Sequence, residues 1–84
     1  FTASWCGPCQ QIYPHLLELI KKIDPKKIIF YKIDIDEDEN DELCEKCNVK
    51  SVPSFLLFKN RNYVERVQGA DINKIIELIN TKCL

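Results

Sequence analysis

Trp5-Cys6-Gly7-Pro8-Cys9 holds two thiols three positions apart, a spacing at which a disulfide can open and close reversibly. Pro8 has no amide hydrogen, and the apolar residues Ile12, Leu16, Ile20 and Ile23 recur after it at helical intervals. A helix is therefore expected to begin at or next to Cys6. The free amides and positive dipole end of its first turn favour a thiolate on Cys6, the species that attacks disulfides, so Cys6 reads as the nucleophile. Cys9, one turn further in, is expected to lie under Cys6, more shielded, where it can resolve the mixed disulfide that Cys6 forms. Gly7 and Pro8 fit a tight, rigid loop at a helix start and put no charge between the sulfurs. A histidine there would stabilise the Cys6 thiolate and the reduced form with it; without one the pair is expected to be comparatively reducing.

The order of elements that must position these thiols reads as βαβαββα, an α/β fold with a mixed central sheet flanked by helices. Phe1 to Ala3 reads as the end of a strand, and Cys6 to about Ile23 as a helix bent at Pro14 and stopped by Asp24-Pro25. Lys27 to Ile35 is the next strand, its run Ile28-Ile29-Phe30-Tyr31 apolar on both faces as an interior strand requires. Asp41 to Cys47 makes a short crossover helix. Ser54 to Lys59 and Tyr63 to Gln68, joined by Asn60-Arg61-Asn62, form an antiparallel hairpin that Gly69 ends. Asp71 is the expected cap of a last helix whose Ile72, Ile75, Ile76, Ile79 and Cys83 share one face. Pro53 cannot continue a strand ladder, and a cis bond is tolerated almost only before proline. Set beside Cys6, such a loop would offer the backbone of Val52 to an extended substrate segment, which would dock as an added strand. Trp5 is expected to pack beside the disulfide and supply apolar contact area to partners.

Taken together, Phe1 to Cys9, Pro14 inside the helix, Ser51-Val52-Pro53-Ser54-Phe55, Leu57-Phe58-Lys59-Asn60 and Gln68-Gly69-Ala70 resemble the thioredoxin family over nearly the whole chain. The resemblance implies a thioredoxin fold in which Pro53 is the family's cis-proline and Trp5, Val52, Pro53 and Gly69 line the substrate surface. It also implies a Cys6–Cys9 redox disulfide, no bound cofactor, and electrons from NADPH through a thioredoxin reductase. The departure lies at the start. Phe1 falls late in the family's central strand, so the family's first strand and helix have no counterpart, and the position of its buried aspartate falls immediately before Phe1. Lys32 matches that aspartate's lysine partner. The chain is thus expected to be one domain, residues 1–84, and a piece of a longer chain. It is expected to be a monomer, or a strand-sharing dimer if the shortened sheet is all there is.

Composition narrows the function. The 84 residues are 45% hydrophobic and 30% charged, which suits one globular domain of soluble composition. A formal charge of −1 and the lack of a basic cluster interleaved with aromatics argue against nucleic acid, and no apolar run is long enough for a membrane span. Five cysteines, an odd number, do not suit a disulfide scaffold and point to a reducing compartment. The cytoplasm is the first expectation, with organelle or secretory routes left open because the chain starts without Met. Cys44-Glu45-Lys46-Cys47 is a second CxxC, read as structural or inert thiols ahead of redox regulation or metal binding; Cys83 reads as packing. Asp34 to Glu45 resembles a calcium loop but has Glu39 where that loop needs glycine, so no metal is expected. His15 reads as a surface residue. The function expected is a protein disulfide reductase acting on disulfide-containing proteins and serving cell redox homeostasis. The alternatives are a thioredoxin-like binding module with little turnover and a disulfide oxidase or isomerase.

Overall fold

Cys6 stands in an extended conformation as the cap of α1 (Gly7–Lys21), so Pro8 falls in the first turn, where a missing N–H breaks no helical bond. The helix runs on through Pro14 and ends at Lys21, two residues short of the expected Ile23. There Asp24 takes over, its carboxylate accepting from the Lys26 amide at 2.9 Å. The computed structural model describes residues 1–83. After α1 come a 3₁₀ turn (Asp38–Asn40), α2 (Asp41–Lys46), β1 (Ser54–Lys59), β2 (Asn62–Gln68) and α3 (Ile72–Lys82).

β1 and β2 pair antiparallel, from Ser54 opposite Gln68 to Lys59 opposite Asn62. Asn60 and Arg61 both have positive φ, 54° and 68°, so the hairpin closes on two residues rather than the three expected; paired positive φ values match the twist of the flanking strands. The register shifts between Leu57 and Phe58, which leaves Val64 as the extra residue of a bulge.

Phe1–Ala3 runs beside β1. Phe1 and Ser54 exchange two backbone bonds, of 2.7 and 3.2 Å, in the antiparallel manner. On its other side, Thr2 donates to the Ile33 carbonyl at 2.8 Å and accepts from the Ile35 amide at 3.0 Å, a parallel bridge. The regular sheet among the described residues is the β1–β2 pair; isolated backbone bonds extend it through 1–3 to 33–35, antiparallel at Ser54 and parallel at Asp34. The expected interior strand from Lys27 to Ile35 is corrected: only its last residues are paired, and Ile29 (70% exposed) and Tyr31 (79%) lie open. Its backbone bonds to residues 1–3 are those of Ile33 and Ile35 with Thr2.

Two apolar clusters form the core. Ala3, Cys6 and Cys9 pack with Ile35 and Val52 at the site, while Ile12, Ile75 and Ile79 join α1 to α3 over Phe55 and Val67 of the hairpin. Each buried isoleucine contributes about 1.5–3 kcal/mol, so this second cluster dominates the attachment of α3. Asp71 caps α3 as expected, accepting from the Lys74 amide at 3.2 Å. Its inward face is Ile75, Leu78 and Ile79; Ile76, expected inside, points outward, because the stripe follows offsets of three and four from Ile75.

α2 stops at a defined structure. Asn48 adopts φ 54°, its amide donates to Glu45 and that of Val49 to Cys44, satisfying carbonyls at the helix end. Arg66 reinforces this stop from β2. Its guanidinium donates to the carbonyls of Cys47 (2.9 Å) and Asn48 (3.3 Å) and to the Tyr63 hydroxyl (3.1 Å), and it lies 5.1 Å from the Tyr63 ring centre.

Candidate active site

Cys6 and Cys9 are joined by a disulfide across the first turn of α1, with Cα atoms 5.2 Å apart. The Cys9 amide points at the Cys6 sulfur at 3.2 Å, and the Gln10 amide donates to the Cys6 carbonyl. Cys6 therefore fills the place of a side-chain cap, with sulfur where oxygen usually stands. Exposure does not separate the two residues as the sequence suggested: Cys6 is 5% exposed and Cys9 4%. Position in the helix separates them: among the described residues a backbone amide is directed at the Cys6 sulfur and none at that of Cys9. Gly7 and Pro8 are simply the first two helical residues, and a Cβ at Gly7 would meet open space.

A second wall faces the sulfurs. The Val52–Pro53 peptide bond is cis, Pro53 is buried, and the Val52 carbonyl oxygen stands 3.7 Å from the Cys6 sulfur. Ser54, 1% exposed, closes the turn by donating its hydroxyl to the Ser51 carbonyl at 2.6 Å. Gly69, at φ 95°, donates its amide to the Pro53 carbonyl at 2.9 Å. Cys6, Cys9, Val52, Pro53 and Gly69 thus converge on one place.

Trp5 belongs to this edge but stands out from it, 67% exposed, with its indole N–H donating to the Asp36 carboxylate at 2.8 Å. Asp36 and Gln10, whose amide nitrogen donates to the Ala3 carbonyl at 2.9 Å, were not singled out as site residues in the sequence. Asp36 belonged to an acidic run, and nothing in that run points to a partner 31 residues earlier. Lys32 lies 4.4 Å from the Tyr13 ring centre. Cys44, Cys47 and Cys83 are free and half-buried, Cys44 within α2 and Cys47 as its C-cap.

A disulfide that caps a helix stands here against a buried proline loop; reduced, it leaves one sulfur served by an amide and a second within bonding reach. Comparison with known proteins identifies the class. The thioredoxin family model matches residues 1–81. An H-type thioredoxin of Fagopyrum esculentum is 39% identical over 79 residues, covering 94% of this chain and 65% of its own length. A thioredoxin of Geodia cydonium is 44% identical over 72 residues, covering 84% and 64%. The crystal structure of a Nicotiana alata thioredoxin superposes with a TM-score of 0.89 at 33% identity, covering 100% of this chain and 70% of that one. The chain belongs to the thioredoxin family and has its fold. It spans just under two thirds of the length of the first two of these relatives.

Proposed function

We propose that the chain is a protein disulfide reductase acting by dithiol–disulfide exchange. The observation that carries this reading is the 3.2 Å approach of the Cys9 amide to the Cys6 sulfur at the tip of α1, which favours a thiolate on Cys6 once the disulfide is opened. That thiolate attacks one sulfur of a target disulfide; the target S–S bond breaks, the other target sulfur leaves as a thiol, and Cys6 carries the mixed disulfide. Cys9 then attacks the Cys6 sulfur, the second target thiol departs, and the Cys6–Cys9 bond is restored. Two electrons and two protons pass to the target.

Val52 and Pro53 form the docking edge, where an extended target segment lies against backbone with little demand on its sequence, and Trp5 and Gly69 border it. Gly7 and Pro8 leave the pair without a neighbouring cation, which suits reduction over oxidation. The targets are disulfide-containing proteins. Electrons come from NADPH through a thioredoxin reductase, with no cofactor bound to this chain, in the reducing setting of the cytoplasm. One relative is named as a mitochondrial thioredoxin, so fractionation of cells is the check on compartment.

The test is insulin reduction driven by dithiothreitol, or by NADPH with a thioredoxin reductase. Cys6→Ser should abolish turnover, and Cys9→Ser should accumulate a mixed disulfide with the target. A chain that binds partners yet shows no turnover would be a binding module instead. A reduction potential clearly above the value of about −270 mV typical of thioredoxin would make it an oxidase or isomerase.

A further inference from the structure

Cys44 and Cys47 repeat the spacing of Cys6 and Cys9 and take no part in the exchange described above. Both are free and half-buried. Cβ atoms three positions apart on a helix are about 5–6 Å apart, whereas a disulfide needs about 3.5–4.5 Å. In a helix interior that difference would disrupt bonds on both sides. Here the helix ends at Cys47, its C-cap, and the chain leaves through Asn48 at φ 54°. The turn that closing the pair would open is held by the bonds from Cys47 to Leu43 (2.9 Å), Asn48 to Glu45 (3.1 Å) and Val49 to Cys44 (3.0 Å). The Cys6–Cys9 pair shows the same solution at the opposite kind of terminus, one member serving as cap.

What lies beyond that turn makes its opening consequential. Arg66 holds the carbonyls of Cys47 and Asn48, and the chain continues from Asn48 straight into the loop whose Val52 carbonyl faces Cys6. We propose that Cys44 and Cys47 form a reversible disulfide that opens the last turn of α2, releases the Arg66 clamp and loosens the 49–53 loop. The oxidant is a low-molecular-weight disulfide such as oxidised glutathione. A thiolate of the pair attacks one of its sulfurs and expels one glutathione thiol; the second cysteine attacks the resulting mixed disulfide and expels the other. The pair gives up two electrons and two protons to the oxidant. A bond made at the cost of helix structure belongs to the easily reduced, regulatory kind. Its effect on turnover rests on the function proposed above, but the bond itself does not.

Lys46 lies between the two cysteines, so trypsin separates them into peptides 33–46 and 47–50. The whole chain is incubated with oxidised glutathione, alkylated, run without reductant, and the monomer band digested. Peptides 33–46 and 47–50 should appear joined, and dithiothreitol should part them at a less reducing potential than it needs to open Cys6–Cys9. Amide exchange across residues 49–52 should rise on oxidation in the parent chain and stay unchanged in Cys44→Ser and Cys47→Ser. Recovery of both cysteines alkylated, each bearing its own glutathione, or joined to Cys83 or to another chain would overturn the proposal. So would a joined pair whose formation leaves exchange in that loop unaltered.

Discussion

Removing the Arg66 guanidinium should destabilise the fold by about 2 kcal/mol, a sum that follows from its four contacts. Each net hydrogen bond contributes about 1 kcal/mol, a cation at a helix C-terminus about 0.3–1 kcal/mol, and the Tyr63 ring about 0.5–1 kcal/mol. Arg66 is only half-buried and these gains overlap, so the straight sum is discounted for solvent screening. Arg66→Ala should then shift the unfolding equilibrium by roughly thirty-fold. Arg66→Lys keeps the charge and one reachable carbonyl but loses the planar fork, and should cost about half as much. Urea denaturation of the disulfide form at fixed pH measures both, with a lowered midpoint and an unchanged slope expected. If both variants fall within about 0.5 kcal/mol of the parent, the clamp contributes nothing to stability, and the coupling of α2 to β2 argued from it fails.

Trp5 is the sole tryptophan, so Asp36→Ala should lower its fluorescence anisotropy by freeing the indole, while Asp36→Asn, which keeps an acceptor, should not; stability should move by no more than about 0.5 kcal/mol, since both partners are exposed. Gly69→Ala should cost about 1 kcal/mol or more in chemical denaturation. Its φ of 95° disfavours any Cβ even though the added atom would meet open space, so a neutral result would mean the backbone relaxes there freely. Ile75→Ala should cost about 2–5 kcal/mol in the same measurement, because it empties the contact that joins α3 to α1, and a loss below 1 kcal/mol would show that contact to be loosely packed.

Much of the site was legible because its determinants are local. The cap at Cys6, the early proline, the Asp71 cap and the Pro53 loop each depend on residues within a few positions, and each stands where the sequence put it. What escaped depends on distance. Arg66 meets α2 across 18 and 19 residues, and Trp5 meets Asp36 across 31, with no periodicity to announce either pair. The stretch 28–32 has the composition of an interior strand, yet composition cannot supply a neighbour, and only 33–35 found one. The inward face of α3 was off by one side chain, Leu78 for Ile76, because several isoleucines in a short helix satisfy more than one stripe.

The turn opposite the sulfurs is shaped entirely by the chain's own bonds: the Ser54 hydroxyl to Ser51, the Ser54 amide to Phe1, and the Gly69 amide to Pro53. On the docking proposed above, a guest peptide meets a cradle that already has its form, and the entropy lost in ordering falls on the guest. Selectivity among guests must then come from how readily each can straighten and present a sulfur, so flexible or partly unfolded polypeptides should be gripped faster than rigid ones of the same sequence.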